Sequence, residues 1–303
     1  MRRAFEILRN ASFVAPWETA RALAEVRATS GLDFSRARAR AGFARGHLLD
    51  VVVYLPGGCG AGLETEAAED LVRLLVGEEL FERWIGHVVA TPTVRGGLLT
   101  VINENSDDQA ALPIGVLPET VRAALEGLKL GLSELSFEPV ADAADWFAFE
   151  LEPERAPDYA AQDDLLFCST RLPELKMCHL RAERFFSGRF TNSGALFAYL
   201  KFESRELTPE GRLSERAGFE ELIKRSLPSA HGGLVGLGLG LRYGYIDVAL
   251  IDPDCVEVLL PALRAAQISP RSWLLFCDSE LEHEYVPVHA NSPAPWRGRE
   301  AGR

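Results

Sequence analysis

The sequence predicts an α+β protein made of two tandem ferredoxin-like halves, each with the element order βαββαβ and an antiparallel sheet. Two observations predict this fold: strand and helix patterns follow that order in residues 47–151 and follow it again in residues 184–277. A third observation, a proline- and acid-rich stretch at 152–164, separates the two patterns. The two halves show no residue-by-residue repeat.

The first half starts with a helical pattern at 17–29 and an arginine-rich segment at 30–46. The apolar, β-branched run His47–Leu55 that follows is typical of a strand. The elements predicted after it are a helix from Thr65, strands at His87–Val94 and Gly97–Asn103, a helix beginning near Pro118 and a strand at Asp145–Leu151. This is the order expected of one ferredoxin-like half.

The second half is organised around the glycine-rich, apolar stretch from His231 to Asp252. As a single strand it would be roughly 70 Å long at about 3.3 Å per residue, so we expect a hairpin that turns between Gly238 and Arg242. The elements predicted around this hairpin are strands at Arg184–Phe190, Ala195–Glu203 and Ser272–Cys277, a helix capped by Ser214 and a helix starting at Asp252–Pro253–Asp254.

These patterns divide the chain into four parts. Residues 1–151 are predicted to form an N-terminal α+β domain with a leading helical segment, and 152–164 a linker. Residues 165–289 are predicted to form a C-terminal α+β domain, and 290–303 a disordered tail. The segment 165–182 carries no pattern that indicates a role beyond compact structure.

The composition is that of a globular protein, with 47% apolar residues, 25% charged residues and a net charge of −12. An acidic surface repels phosphate groups, which disfavours nucleic acid and anionic membranes as partners. Residues 1–50 are the exception, because they hold nine arginines against five acids. With no apolar signal-peptide core and no run of about 20 apolar residues, the sequence predicts a cytoplasmic protein without a membrane partner.

The glycines of the predicted hairpin form a G-x-G-x-G run at Gly236, Gly238 and Gly240. A dinucleotide-binding loop would open directly into a helix, whereas a strand pattern follows here. The spacing of two instead places all three glycines on one strand face, where the backbone allows close approach. This face is interpreted either as a close packing surface or bulged turn, or as a ligand surface. The polar groups of such a ligand surface would be Arg242, Tyr243, Tyr245 and Asp247.

The acid- and histidine-rich stretch 278–289 offers His283, Glu284 and His289 as weak metal-ligand candidates. Strand alternation would turn His283 away from Glu284, so the pattern favours a solvated strand end. The stretch NENSDD at 103–108 resembles the start of a calcium loop but lacks the required glycine and the final glutamate. We therefore predict no metal and no cofactor.

Five cysteines without a C-x-x-C pair favour reduced thiols over a disulfide framework or a zinc ribbon. Cys168 with the adjacent Cys178 and His179 does not match a standard zinc-ligand spacing. A nucleophile at Cys178 or Cys277 with a histidine base stays open, because the sequence does not show which histidine lies nearby.

These observations favour a non-catalytic binding protein whose partner is a protein, a second copy of itself or a small molecule. The first alternative is an enzyme, for example a metal-assisted hydrolase, with its site in a cleft between the two domains. Its candidate residues are His231, Arg242, Asp247, His283 and Glu284. The second alternative is a nucleic-acid binder acting through the basic N-terminal segment.

Overall fold

The computed structural model describes residues 2–10, 12–56, 61–91, 111–132, 146–181, 184–206, 208–252 and 254–297. In this part the chain is a mixed α+β protein with two β-sheets and eight α-helices, which confirms the predicted class. It divides into two compact units, residues 12–132 (the smaller unit) and residues 1–11 with 133–303 (the larger unit). None of the described helices is long and apolar enough to cross a lipid bilayer.

The first helix, α1 (Arg2–Asn10), belongs to the larger unit. The smaller unit contains α2 (Thr19–Ser30), β1 (Arg38–Phe43), β2 (Leu49–Tyr54), α3 (Ala61–Val76), α4 (Glu78–Trp84), β3 (Ile85–Thr91), β4 (Leu112–Pro113) and α5 (Leu117–Gly131). The strands form a four-stranded sheet in the order β3-β2-β1-β4.

The sheet of the smaller unit differs from the predicted antiparallel sheet, because β2 and β3 are parallel. Helices α3 and α4 connect these two strands, and parallel neighbours need a crossover connection of this kind. Residues 49–53 of β2 are all buried, as expected for a strand covered on both faces. The predicted strand Gly97–Asn103 lies outside the described residues, so this unit does not confirm a ferredoxin-like half.

The larger unit contains β5 (Phe147–Glu150), β6 (Leu165–Thr170), α6 (Pro173–Leu180), β7 (Leu196–Glu203), α7 (Pro209–Ser226), β8 (Gly232–Gly240), β9 (Tyr243–Leu250), α8 (Cys255–Ala265), β10 (Ser272–Phe276) and β11 (Tyr285–Pro287). Its seven strands form an antiparallel sheet in the order β11-β10-β7-β9-β8-β6-β5. The glycine-rich stretch forms the predicted hairpin, β8 and β9, with its turn at Leu241 and Arg242.

One face of this sheet packs against α7 and α8. Alternating side chains of β7, β9 and β10, including Leu200, Ile246 and Leu274, meet Phe219 of α7 and Leu259 of α8 in a buried apolar cluster. The strand period of two and the helical stripes explain this core. The opposite face therefore carries the other half of each strand, and that half is largely polar or aromatic.

The predicted domain boundaries differ from those observed. Strand β5 precedes residue 151 but pairs with β6, so the sheet of the larger unit extends across the predicted linker 152–164. The end of that linker lies on the polar sheet face, where Tyr159 and Asp164 are buried. Proline and acid content indicated a solvated linker. Instead, the Asp164 side chain bonds to the hairpin, and Tyr159 packs in a cluster with Tyr243 and Tyr245.

Two further segments differ from expectation. The predicted strand Arg184–Phe190 is irregular and contains a 3-10 turn, since the side chain of Asp278 accepts hydrogen bonds from both the backbone and the hydroxyl of Ser187. Residues 290–297 of the predicted disordered tail are described, and the indole of Trp273 donates to the carbonyl of Pro293 at 2.6 Å. Residues 298–303 lie outside the described part.

Candidate functional site

Gly236, Gly238 and Gly240 lie where other side chains pack closely on the polar face of the larger unit's sheet. A Cβ added to Gly236 would overlap the carboxylate of Asp247, and one added to Gly240 would overlap that of Asp164. Gly238 leaves space in the same way for Leu165. The flat glycine face is therefore filled by the protein's own side chains rather than left open to a ligand.

Asp247, one of the ligand candidates, belongs to a buried triangle with Lys176 of α6 and Gln162. The Lys176 ammonium lies 2.6 Å from Asp247 Oδ2 as an ion pair outside hydrogen-bond angles, and it donates to Gln162 Oε1 at 2.8 Å. Gln162 donates in turn to Asp247 Oδ1 at 2.9 Å. All three residues are buried, so the charges of Lys176 and Asp247 are stabilised by each other and by the amide of Gln162 rather than by water.

A second buried network fixes the hairpin turn. Asp164 accepts hydrogen bonds from the backbone amides of Arg242 at 2.8 Å and Tyr243 at 2.9 Å, and from the hydroxyl of Tyr245. The Arg242 guanidinium binds Glu203, with its Nη2 2.6 Å from Oε1. The remaining sequence candidates for a ligand surface are thus held by internal contacts.

Lys201 of β7 is almost fully buried beside these networks. Its ammonium donates to the carbonyl of Tyr159 at 2.6 Å and lies 4.3 Å from the ring centre of Tyr243. Burial lowers the pKa of Lys201 to about 8, and the fields of nearby carboxylates including Asp164 oppose this effect.

A cavity of about 660 Å³ lies elsewhere on the same sheet face. Its walls come from β7, the end of β10, helix α6, residues 151–163 and residues 295–297. The volume is within the range of small-molecule sites, and aliphatic and aromatic side chains such as Leu151, Phe185 and Leu275 form much of the wall.

Among the polar side chains that line this cavity, three lie close to its sheet wall: Tyr199 of β7, His179 of α6 and Cys277 after β10. Tyr199 is only 3% exposed. Its ring and the imidazole of His179 meet edge to face, with 5.4 Å between the ring centroids. In the described residues, neither the hydroxyl, the imidazole nor the thiol has a hydrogen-bond partner. Because they line the cavity and have no partner from the described part of the protein, these three groups are the candidate ligand contacts.

All three groups are uncharged at neutral pH. Burial lowers the pKa of His179 to about 4, with the Lys176 ammonium adding to the effect and Asp247 opposing it. Burial raises the pKa of both the Tyr199 hydroxyl and the Cys277 thiol well above their usual values. The cavity therefore presents a phenol, a neutral imidazole and a protonated thiol.

The remaining charged residues of the cavity wall are mainly acidic. Five carboxylates line it, against one guanidinium from Arg297. The acids are Glu152, Asp163, Asp278, Glu282 and Glu284. Asp278 is buried and accepts hydrogen bonds from Ser187, so the acidic rim consists of the other four carboxylates, beside the 45% exposed indole of Trp296.

The structure separates the residues considered for an enzyme site. His231 and Arg242 flank opposite ends of the nine-residue strand β8, which spans about 30 Å at a rise of about 3.3 Å per residue. Asp247 lies in the buried triangle, and only His283 and Glu284 of this set line the cavity. These five residues do not assemble into one catalytic group.

The weak metal-ligand candidates have separate partners. His283 Nε2 lies 3.3 Å from Glu282, Glu284 Oε1 3.1 Å from Arg3 Nη2, and His289 Nε2 3.0 Å from the Ile268 carbonyl. Within the described ranges, no group of three or more His, Cys, Asp or Glu side chains is arranged to hold a metal ion.

Sequence reasoning missed the contribution of residues 165–182. These residues contain β6 and α6, and α6 supplies both Lys176 to the triangle and His179 to the cavity. On this helix Cys178 packs in an apolar cluster, whereas the adjacent His179 lines the cavity. The proline at 173 followed by Glu174 was the available helix-start signal.

Comparison of the chain with protein-family models, with curated proteins and with solved structures gives no match.

Proposed function

We propose that this chain is a non-catalytic small-molecule-binding protein and that its ligand occupies the cavity beside Tyr199. The observation that carries the proposal is the convergence, on one cavity with a partly apolar wall, of three polar groups that have no hydrogen-bond partner in the described residues. A ligand in the cavity would give the Tyr199 hydroxyl a hydrogen-bond partner in place of the water that an open cavity admits.

The protonation states favour binding over catalysis. A general base should have a pKa near the working pH, whereas that of His179 is lowered to about 4. A cysteine nucleophile acts as the thiolate, whereas burial holds Cys277 as the thiol. The cavity thus offers hydrogen bonds and apolar contact but no activated group. A reducing compartment such as the cytoplasm suits this free thiol.

We also infer that the central part of the larger unit is a ferredoxin-like module. The elements β7, α7, β8, β9, α8 and β10 follow the order βαββαβ, and their strands are adjacent in the order β10-β7-β9-β8. The remaining strands and α6 extend this module. They supply the side chains that enclose the cavity.

Native mass spectrometry of protein purified without chelator tests the binding role. The wild-type chain should retain a small molecule, and an Ala160→Trp variant, which fills the cavity wall, should lose it. Tyr199→Phe is a second, milder variant, and it should weaken retention without disturbing the fold. Circular dichroism of both variants controls for folding. A bare polypeptide mass for the wild-type chain, or equal retention by all three proteins, would contradict the proposal.

A further inference from the structure

Building on this proposed binding role, we propose that the ligand is a small organic cation, an apolar or aromatic molecule that carries a protonated amine. The inference rests on the chemistry of the cavity interior and on the charge of its rim. Both are formed by the larger unit.

The interior offers acceptors for an ammonium group. A neutral imidazole has one nitrogen that accepts a hydrogen bond, and a phenol oxygen accepts as well as donates. His179 and Tyr199 supply these two groups side by side, and neither has a partner in the described part of the chain. Apart from His179 and His283, the basic side chain that lines the cavity is that of Arg297, which is exposed beside Trp296.

The aromatic wall also suits a cation. Tyr199, Phe185 and Trp296 all line the cavity, and the face of an aromatic ring attracts an ammonium group within about 6 Å. Such contacts contribute more when the cation is desolvated. An apolar body on the ligand would match the aliphatic part of the wall.

The rim carries excess negative charge. Glu282 and Glu284 have cationic or titratable neighbours in His283 and Arg3. In the described residues Glu152 and Asp163 have no ion-pair partner within 4 Å, although the Lys201 ammonium acts on Asp163 from a longer distance. Clefts lined by one sign of charge attract ligands of the opposite sign and repel those of the same sign. The net charge of −12 for the whole chain disfavours an anionic ligand further, in addition to the acidic rim.

Three probes of matched shape separate charge recognition from binding itself: 4-phenylbutylamine, 4-phenylbutanol and 4-phenylbutanoate. Isothermal titration calorimetry at neutral pH should give the order amine, then alcohol, with no measurable binding of the carboxylate. Added salt should weaken binding of the amine but not of the alcohol, since screening acts on charge pairs near the surface.

Charge-removing variants test the rim. Asp163→Asn should weaken amine binding by roughly two- to fivefold and leave alcohol binding unchanged, as expected for a partly exposed charge pair. Glu154→Gln is the matched control, because it removes an exposed acid from the same segment that does not line the cavity. It should change neither affinity.

The outcomes distinguish the two proposals. Equal affinity for amine and alcohol, both lost in Ala160→Trp, would overturn the cationic ligand but keep the binding role. Preference for the carboxylate would likewise overturn the cationic ligand. Failure of all three probes to bind, or binding unaffected by Ala160→Trp, would overturn both proposals.

Discussion

Replacing Gly236 with alanine should strongly destabilise the larger unit. The added Cβ would overlap Oδ2 of Asp247 and lie 3.1 Å from both its Cβ and its Cγ. Rotation of the terminal oxygen alone does not relieve these contacts, because Asp247 is short and its carboxylate is held by Lys176 and Gln162. The methyl group therefore has to displace the anion from its buried triangle.

The magnitude follows from the burial of that triangle. Asp247 is 3% exposed and Lys176 is 1% exposed, so separating them leaves two desolvated charges without their partner. Breaking a buried ion pair costs about 3–5 kcal/mol. The lower entropy of the unfolded alanine chain returns only about 0.4–1 kcal/mol. A net loss of about 3 kcal/mol is a large fraction of a typical stability of about 5–15 kcal/mol.

Urea unfolding followed by circular dichroism measures this loss. Gly218→Ala is the matched control, because a Cβ at Gly218 in α7 meets nothing within 4 Å and alanine favours the helix by about 0.5–1 kcal/mol. In an Asp247→Ala background the Gly236→Ala change should cost little, since the clash is gone. A loss below about 1 kcal/mol in the wild-type background, or additive losses in the double variant, would refute the reasoning.

Three further predictions concern the same sheet face. The pKa of Lys201 falls from 10.5 to about 8 on folding, so between these pH values the unfolded chain binds more protons and the free energy of unfolding should rise with pH. Urea titrations should show that Lys201→Met removes this rise. An unchanged dependence of stability on pH in the variant would contradict the prediction. The lowered pKa of His179 should make the free energy of unfolding fall as pH drops from about 6.5 to 4, and His179→Gln should reduce this fall. If nuclear magnetic resonance shows the imidazole titrating near 6.5, burial does not lower its pKa. Tyr245→Phe should lower the free energy of unfolding by about 1–3 kcal/mol, because it removes a hydrogen-bond donor to buried Asp164. Tyr199→Phe should lower it by less than about 0.5 kcal/mol in the ligand-free protein. Equal losses in urea unfolding would show that the Tyr199 hydroxyl also has an internal partner.

The glycine hairpin shows how far sequence patterning reaches. The apolar alternation, the length of the stretch and its glycines predicted two paired strands with a turn near Arg242, and the structure has that hairpin. The same pattern left two interpretations of the glycine face. Choosing between them required Asp164, which lies far from the hairpin in sequence and comes from a segment whose composition indicated a linker.

The candidate site was harder to predict because its parts are distant in sequence. Tyr199 alternates with core residues on β7, His179 lies on a helix that was not predicted, and Cys277 follows the last long strand. Nothing in their spacing relates them to one another. Only the antiparallel pairing of β7 with β10 and the packing of α6 bring the three to one cavity.

The boundaries between the two units were hard to predict for the same reason, because strand pairing is not visible in the sequence pattern. Residues 145–151 alternate as a strand in either half, so the pattern could not reveal that β5 pairs with β6 rather than with the strands before it. A prediction based on element order assigns a strand to its nearest neighbours in sequence. Pairing across residues 151–164 is a tertiary property.

The most direct test of the central claim uses protein labelled with ¹³C at the Cζ atom of tyrosine. The chain has six tyrosines, so the spectrum should contain six signals, and Tyr199→Phe identifies one of them. Addition of 4-phenylbutylamine should move the Tyr199 signal as its hydroxyl gains a partner, while the signals of Tyr243 and Tyr245, bonded internally, stay in place. A Tyr199 signal that does not move at saturating probe would contradict the claim that this cavity is the binding site.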